Sequence, residues 1–368
     1  MSELIVEVVP VLEVKNHPNA DRLDLIRVKG WEVIVKRDQF TVGNLVVFIP
    51  PDAIITKPLQ EFLNITNYCA ELPKSNPLNA LGHRRVKAAR LRGIPSYGVI
   101  MTLDDVVKYF GLYNNGDISD RLVEGSDLSA LLNITKYEPP IRSTAGDVER
   151  DSPQFHTYTD IENWRNHPEW FSEEDQVVIT QKIHGTNCRL GYCLDTQDGE
   201  WKYMAGSHKT RRKDGLYWEP YFMYPQLRTM IEDLYYKYDK VPIIVFGEIF
   251  GSSIQDITYG MTNGQKDFMV FDISVGGTYV SWPFMIGMCK NHEIPTVPIL
   301  WVGPYSVDKV KELTDGPAFK CAEDAKFKGR EGVVIKPYIE RVDPYNGRII
   351  LKSVSADYLS RKNAEDNE

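Results

Sequence analysis

The sequence predicts a fold of two parts, a small β-barrel followed by a mixed α/β domain. Residues 3–103 contain β-branched runs that turn signals such as NHPNAD and TVGN interrupt, a pattern typical of short barrel strands. From about residue 166, apolar strand-like runs occur together with PQLRTMIEDLYYKY, whose apolar residues have helical spacing. We therefore expect a barrel over residues 1–110, a turn-rich polar connector over 111–160 and the α/β domain over 161–368.

The composition is that of a soluble globular protein. Of 368 residues, 42% are hydrophobic and 26% are charged. There is no run of 18 apolar residues and the start of the chain does not resemble a signal peptide, so we expect no membrane association and a cytoplasmic location. The five cysteines include no C-x-x-C pair, which favours reduced thiols over disulfides or a zinc site.

The barrel segment ends in a strongly basic stretch, LGHRRVKAARLRGIPSYGVIMTL at residues 81–103. It offers six potential cations and no carboxylate. One interpretation is a solvated basic strand pair; the other is a patch that binds nucleic-acid phosphates through Arg84, Arg85 and Arg90. The formal net charge of −8 argues against a nonspecific nucleic-acid coat protein but does not exclude such a local surface.

The α/β half places charged residues at the ends of apolar strands. Lys182 ends VVITQ and precedes His184, which follows it by two residues, so on an extended strand both would project from one face. Further charges follow or end the later apolar runs, namely Glu248, Asp272, Glu331, Lys336 and Lys352. Because a lone buried charge is costly, these residues are either ion pairs at strand ends or parts of a ligand site.

Five of these stretches occur in a definite order: KIHGTN, FGEIFG, DFMVFD, EGVVIK and LKS. They resemble nucleotidyltransferase motifs I, III, IIIa, IV and V of ATP-dependent polynucleotide ligases, and the K-x-H-G form resembles the RNA ligases. HPNADRL and LRGIPSYGVIM are similar to the OB domain that precedes the catalytic domain in Deinococcus-type RNA ligases. The resemblance implies an OB barrel followed by an ATP-grasp-like nucleotidyltransferase (adenylation) domain.

The resemblance also implies a nucleophile. Lys182 would attack the α-phosphate of ATP and form lysyl-AMP, with Mg²⁺ or Mn²⁺ as the metal. The amine must lose its proton first, and because a free lysine has a pKa of about 10.4, burial and nearby cations must lower that value. Lys336, Lys352 and the metal would supply the positive field.

The remaining roles are likewise implied by the resemblance. Phe271 would stack on adenine, although a core aromatic is the alternative, and Gln181 would bind the adenine amino group. Glu248 would bind the ribose, and Glu331 and Glu248 would lie near the metal. Lys336 and Lys352 would hold the α-phosphate, and Lys209 or Arg211 the acceptor 5′-phosphate. The nucleotide pocket would be completed by Ile183, His184 and Asn187.

One position departs from the pattern of phage-type RNA ligases, which have two lysines spaced by one residue in motif V. Here Lys352 is followed at the second position by Val354. The substrate that the resemblance implies is RNA or a nicked RNA/DNA duplex, for a monomeric enzyme of bacterial or viral origin. The alternatives are a DNA ligase, a GTP-dependent capping enzyme, and a nonenzymatic OB protein that binds tRNA, because HPNADRL also resembles tRNA-binding modules.

Overall fold

A computed structural model describes the chain in three stretches, and the chain divides into two compact units. The described stretches are residues 4–113, 118–138 and 147–361. The first unit comprises residues 1–141, 162–168 and 356–368, and the second comprises residues 142–161 and 169–355. The chain therefore enters the second unit twice.

Short antiparallel strands dominate the first unit, as the turn signals predicted. Leu23–Val28 and Trp31–Lys36 form a hairpin in which buried and less buried residues alternate along both strands. The strands of the unit are Glu7–Pro10, Glu13–Asn16, Leu23–Val28, Trp31–Lys36, Leu45–Ile49, Ala53–Ile55, Cys69–Glu71, Arg84–Val86, Ala89–Leu91, Ile94–Ser96, Val99–Thr102, Thr135–Lys136 and Glu162–Asn163. Its helices are Lys57–Leu63, Leu103–Tyr113 and Ala356–Leu359.

Part of the stretch that we expected to be a connector is packed structure. Ile118, Leu128, Leu132 and Ile134 lie in the core of the first unit. Their side chains bury apolar area that a solvated linker would expose, so residues 118–138 form part of that unit. Residues 139–146 lie outside the described residues.

Two later segments complete the first unit. Trp164 is almost fully buried, and the side-chain carbonyl of Asn166 accepts a hydrogen bond from the Trp31 indole at 2.8 Å. Lys87 donates to the Arg361 carbonyl at 3.2 Å. The first unit is therefore built from three separate stretches of chain.

The second unit contains two antiparallel sheets. Four strands of one sheet follow the order Leu351–Val354, Gly332–Pro337, Gln176–Lys182 and Ile299–Pro304. The other sheet has the order Arg211–Arg212, Glu200–Ser207, Thr186–Asp195, Ile243–Gly251, Lys266–Val275 and Thr278–Tyr279. The chain passes from the first sheet to the second at the turn between Lys182 and Thr186, so this turn joins the two layers.

Helices and a small hairpin complete the second unit. The predicted amphipathic helix extends over Gln226–Lys237, and five of its apolar side chains are buried. The other helices are Glu219–Met223, Trp282–Asn291 and Val307–Thr314, and the hairpin pairs Val342–Asp343 with Gly347–Arg348. No helix among the described residues is both long enough and apolar enough to cross a membrane.

Candidate active site

Lys182 lies at the end of its strand in direct contact with Glu331. Its ammonium nitrogen is 2.6 Å from Oε1 of the carboxylate, and the lysine and glutamate side chains are 15% and 4% exposed. The pairing of Lys182 with Gly332 in the neighbouring strand explains the contact, because Glu331 immediately precedes that glycine. A buried carboxylate at this distance favours the charged form of the amine.

His184 connects the same carboxylate to a second one. Its Nδ1 is 3.2 Å from Oε2 of Glu331 and its Nε2 is 2.8 Å from Oδ1 of Asp256. Burial lowers the pKa of His184, but the hydrogen bonds to Asp256 and Glu331 outweigh it and raise the pKa. Burial would raise the pKa of Glu331, yet Lys182 and His184 together bring it down to about 2. Glu331 is therefore an anion that contacts both the Lys182 ammonium and the His184 imidazole.

Strand register places the three candidate lysines on one face of their sheet. Lys182 is opposite Gly332, Val178 is opposite Lys336, and Lys352 is opposite Val334. Opposed residues project to the same side, and alternate residues along a strand do so as well. Since Lys336 follows Gly332 by four residues, roughly 13 Å of strand separates the levels of Lys182 and Lys336, with Lys352 midway between them.

Lys336 is anchored within a buried ionic network. Its amine lies 3.1 Å from Asp272 and 2.8 Å from the Phe271 carbonyl, and Asp272 also accepts from Arg348 at 2.6 Å and Tyr158 at 2.7 Å. Burial lowers the pKa of Lys336 even though Asp272 opposes the effect. To reach an α-phosphate, Lys336 would have to give up or share these contacts.

Phe271 occupies an irregularity in its strand. Gly247 pairs with Val270 and Phe246 pairs with Asp272, so Phe271 is the extra residue of a β-bulge. Its half-buried ring lies edge-on against Tyr158, with 4.9 Å between the ring centroids. The bulge aims the ring differently from its neighbours, which is compatible with stacking on a base or with a place at the edge of the core.

Gln181 presents a donor where the sequence suggested an acceptor. Its Oε1 already accepts from the Phe319 backbone N–H at 2.9 Å. Its Nε2 is buried without a hydrogen-bond partner in the described part of the chain. The expectation that Gln181 accepts from an adenine amino group is therefore not supported, because the free atom can only donate, as to a ring nitrogen.

The glycine of the turn is required by a close approach of chain to chain. A Cβ on Gly185 would lie 2.2 Å from the Ile249 carbonyl and 2.9 Å from Cγ of Glu248. Glu248 in turn is opposite Asn187, whose Oδ1 is buried with no hydrogen-bond partner among the described residues. The turn thus lies directly on the strand that carries Glu248, while Ile183 is buried as a core residue.

The carboxylates fit a hard divalent cation only in part. No group of three or more His, Cys, Asp or Glu side chains in the described stretches has the arrangement of a metal site. The two carboxylate oxygens of Glu331 contact Lys182 and His184 at the turn, and the Glu248 side chain lies beside Gly185. Mg²⁺ and Mn²⁺ accept one or two carboxylates together with water and phosphate oxygens, so this donor set suits them when a nucleotide completes it.

Of the two cations proposed to bind an acceptor phosphate, one is buried. Arg211 is 2.9 Å from Asp195 and 3.0 Å from Glu149, with its side chain 6% exposed. Its guanidinium holds a loop together, so the structure argues against a phosphate-binding role. Lys209, two residues earlier, is exposed.

The basic stretch of the first unit divides in the same way. Arg85 is buried, lies 2.5 Å from Asp52 and covers the Tyr137 ring at 4.4 Å, which corrects its assignment as a phosphate ligand. Arg84 is partly exposed beside Glu71 at 3.1 Å, and Arg90 is paired with Asp357 at the surface. Arg84 and Arg90 therefore keep surface that a phosphate could contact.

Sequence reasoning missed the segment that supports the turn. The His184 backbone N–H donates to the Tyr259 hydroxyl at 2.6 Å, and the Gln255 amide donates to the Gly185 carbonyl at 3.2 Å. With Asp256, three residues of one loop hold two residues of the turn. The signal in the sequence was weak: a short polar stretch, SSIQD, directly after FGEIFG.

Comparison with protein families gives two matches. Residues 175–354 match the RNA ligase family, and residues 5–103 match an OB-fold domain family. The predicted order, an OB barrel followed by a ligase-type nucleotidyltransferase domain, is thereby confirmed. A search of curated protein sequences found no match.

Solved structures of an RNA ligase from Naegleria gruberi share the fold over nearly the whole chain. An alanine variant with ATP and Mn superposes with a TM-score of 0.71 at 22% identity, covering 96% of this chain and 98% of that chain. The same ligase with PPi gives 0.70 at 22% identity, covering 98% of each chain. Another variant with AMP and Mn gives 0.70 at 20% identity, covering 96% of this chain and 98% of that one.

Proposed function

Residues 175–354 match the RNA ligase family and follow a segment that matches an OB-fold domain, and on that premise we propose that this chain is an ATP-dependent ligase that joins RNA ends through lysyl-AMP. The observation that carries the proposal is the contact between Lys182 and the buried Glu331 at a turn joining two sheets. Lys182 ends its strand, and the turn that follows approaches the neighbouring strand so closely that a Cβ on Gly185 would lie 2.2 Å from the Ile249 carbonyl.

In the first step, Lys182 loses a proton and its nitrogen lone pair attacks the α-phosphorus of ATP. An N–P bond forms, the bond from phosphorus to the bridging oxygen breaks, and pyrophosphate leaves with those electrons. The paired ammonium cannot act as a nucleophile. The contact with Glu331 must therefore loosen before attack, and His184 remains to share the negative charge of the carboxylate.

Phosphate charge would be stabilised by the face of the sheet that carries Lys182, Lys336 and Lys352. Lys352 lies nearest to Lys182 in strand level and is the better placed of the two further lysines to meet the α-phosphate. Lys336, anchored by Asp272, contributes a fixed positive field from a greater distance. This arrangement does not need a second lysine in the last motif. Val354, which takes the place of that lysine, is opposite Gly332 and so lies at the strand level of Lys182, which already places an amine there.

A divalent metal, Mg²⁺ or Mn²⁺, would be held by Glu331 and Glu248 and would neutralise phosphate charge. The Naegleria ligase structures that contain Mn together with ATP or AMP support the choice of a divalent metal. Nucleobase recognition would fall to Gln181 and Phe271. The unpaired Gln181 amide nitrogen would donate to the unprotonated N1 of adenine, which guanine lacks as an acceptor.

In the later steps, the AMP passes to a 5′-phosphate, and a 3′-hydroxyl attacks that activated phosphate and displaces AMP. We propose a nick with an RNA 3′-hydroxyl as the substrate and a monomer as the working form. The OB unit would bind the nucleic acid through Arg84 and Arg90, while Lys209 would approach the acceptor phosphate.

A labelling experiment tests the proposal. The protein is incubated with ATP or GTP labelled at the α-phosphate and is then separated on a denaturing gel. Label from ATP alone, released as AMP on addition of a nicked duplex, supports the ligase. Label from GTP would indicate a capping enzyme, and binding of RNA without any label would indicate an OB protein with no ligase activity.

A further inference from the structure

Two aromatic residues contact the chain on both sides of Lys182. Tyr259 accepts a hydrogen bond at 2.6 Å from the backbone N–H of His184, two residues after the lysine. Phe319 donates its backbone N–H at 2.9 Å to the side chain of Gln181, the residue before the lysine. The two rings stack on each other, with centroids 5.0 Å apart and planes 29° apart. The residues on both sides of Lys182 are thus connected to each other through one continuous series of contacts.

Tyr259 adopts a backbone conformation that a bulky residue seldom takes. Its φ is +53°, in the left-handed region, and its side chain is 1% exposed. Such a conformation persists only where the surroundings impose it, and it occurs preferentially at functional sites. Here the imposing contacts are the Phe319 stack, the edge of the Phe250 ring at 5.2 Å and the hydrogen bond to His184.

Phe319 stands at the closed base of a loop. Pro317 and Gly329 form a β-bridge, and the Ala318 N–H donates to the Lys328 carbonyl at 2.9 Å. The ring next to this closure therefore has a fixed backbone, although it is 37% exposed. A ring held in this way can support Tyr259 without belonging to the core.

We infer that Tyr259 and Phe319 are positioning residues for the nucleophile. By fixing His184 and Gln181 together, they hold the short segment that carries Lys182, so that its amine is aligned with the phosphorus. The inference rests on the proposed function. It assigns neither residue a contact with the nucleotide, because alignment alone accounts for large rate effects when reacting atoms must approach within a narrow geometry.

Three substitutions in the full-length protein test the inference. Tyr259→Phe keeps the stacked ring and removes the hydroxyl; Phe319→Leu removes the stack; Phe319→Tyr keeps it. The measurement is the single-turnover rate of AMP transfer from labelled ATP over a range of ATP concentrations. We expect Tyr259→Phe and Phe319→Leu to lower the rate at saturating ATP by about tenfold or more with KM for ATP nearly unchanged, and Phe319→Tyr to retain the rate.

A matched control removes a buried hydroxyl elsewhere in the unit. Tyr221 is buried and donates to the carbonyls of Gly191 at 3.2 Å and Met204 at 3.3 Å. Tyr221→Phe should lower the thermal midpoint at least as much as Tyr259→Phe does while leaving the AMP-transfer rate unchanged. A rate that simply follows the midpoint across all variants would overturn the inference.

A pre-adenylylated nick separates alignment of Lys182 from the later chemistry. Sealing of that substrate bypasses the lysine, so the two slow variants should seal it at the wild-type rate. Equal losses in both assays would overturn the inference while leaving the ligase assignment intact. Failure of the wild-type protein to take label from ATP would instead refute the proposed function, and the inference with it.

Discussion

The ammonium of Lys182 lies 2.6 Å from the carboxylate of Glu331, and His184 contacts the other oxygen of the same carboxylate. Lys182 and His184 lie at the end of one strand, and Glu331, 149 residues after Lys182, immediately precedes a strand that pairs with it. This arrangement favours the charged ammonium form of the proposed nucleophile, which is unreactive. Activation then depends on competition for Glu331.

Substitution of the nucleophile gives the most direct test. Lys182→Ala should abolish covalent labelling by ATP while the protein remains folded by circular dichroism. Lys202→Ala is the matched control, because Lys202 also pairs with carboxylates, Asp195 and Asp198, in the same unit. Persistent labelling of Lys182→Ala, with the adduct mapped to another lysine, would refute the assignment.

Removal of divalent metal should stop AMP transfer without unfolding the protein. The proposed protein ligands are only two carboxylates, Glu331 and Glu248, whereas a structural metal site takes a full set of side-chain ligands, so we expect the fold to persist without the metal. We expect EDTA to abolish labelling, Mn²⁺ or Mg²⁺ to restore it, and the thermal midpoint to stay constant. Labelling that survives exhaustive chelation would contradict the mechanism.

A methyl group at the turn should be costly. The Cβ of Gly185→Ala would lie 2.2 Å from the Ile249 carbonyl, so the strand or the turn must shift. We expect a loss of about 1–3 kcal/mol in the free energy of unfolding. Gly287→Ala is the control: this helical glycine has open space around it, and the change should stabilise the protein by about 0.5–1 kcal/mol. Urea unfolding measures the free energy of unfolding of both variants. Equal changes in the two would show that the close contact at Gly185 does not determine the cost of the substitution.

The arginines of the basic stretch should separate by function. Arg85→Ala leaves Asp52 buried and without its 2.5 Å ion pair, so it should cost about 3–5 kcal/mol of stability. Arg84→Ala and Arg90→Ala remove partly exposed ion pairs and should each cost less than about 1 kcal/mol. Binding of a nicked duplex should weaken in the latter two, each lowering the salt slope by about one. Unchanged binding in both variants would show that the barrel is not part of the surface that binds the substrate.

The cysteines should differ sharply in reactivity, which tests the described packing. Cys321 is exposed, whereas burial raises the pKa of Cys69 to about 11, that of Cys193 and Cys289 to about 12, and that of Cys188 well above its usual range. Because the thiolate is the reactive form, a raised pKa keeps these four thiols protonated and inert up to strongly alkaline pH. A thiol reagent at pH 8 should therefore titrate one thiol in the native protein and five in denaturant; a second fast thiol would contradict the packing.

The strands of the second unit were easier to predict from the sequence than the contacts of each side chain. The structure brings together Lys182, His184 and Glu331, three residues of the quoted motifs, because the strands that carry or flank them pair in one sheet. Arg85 and Arg211 were assigned to phosphate because a sequence displays charge but not its partner. Their partners, Asp52 and Asp195, meet them only through strand pairing and loop closure.

The orientation of the Gln181 amide and the residues that support the turn could not be predicted from the sequence either. Gln181 was expected to accept, yet the Phe319 backbone 138 residues away occupies its oxygen. Tyr259 lies in an irregular loop with no periodic pattern, and its left-handed backbone is a tertiary effect that local propensity disfavours. Long-range contacts of this kind leave no trace in residue spacing.

The interleaving of the two units has a consequence for fragments of this protein. Residues 162–168 and 356–361 complete the first unit, but both follow stretches that belong to the second. A single protease cut between residues 147 and 161 would leave these pieces covalently attached to the larger fragment while they stay docked on the smaller. The two fragments should therefore elute together in native buffer and part only in denaturant. Producing either unit alone would mean splicing distant segments of the gene, since trimming one end cannot isolate it.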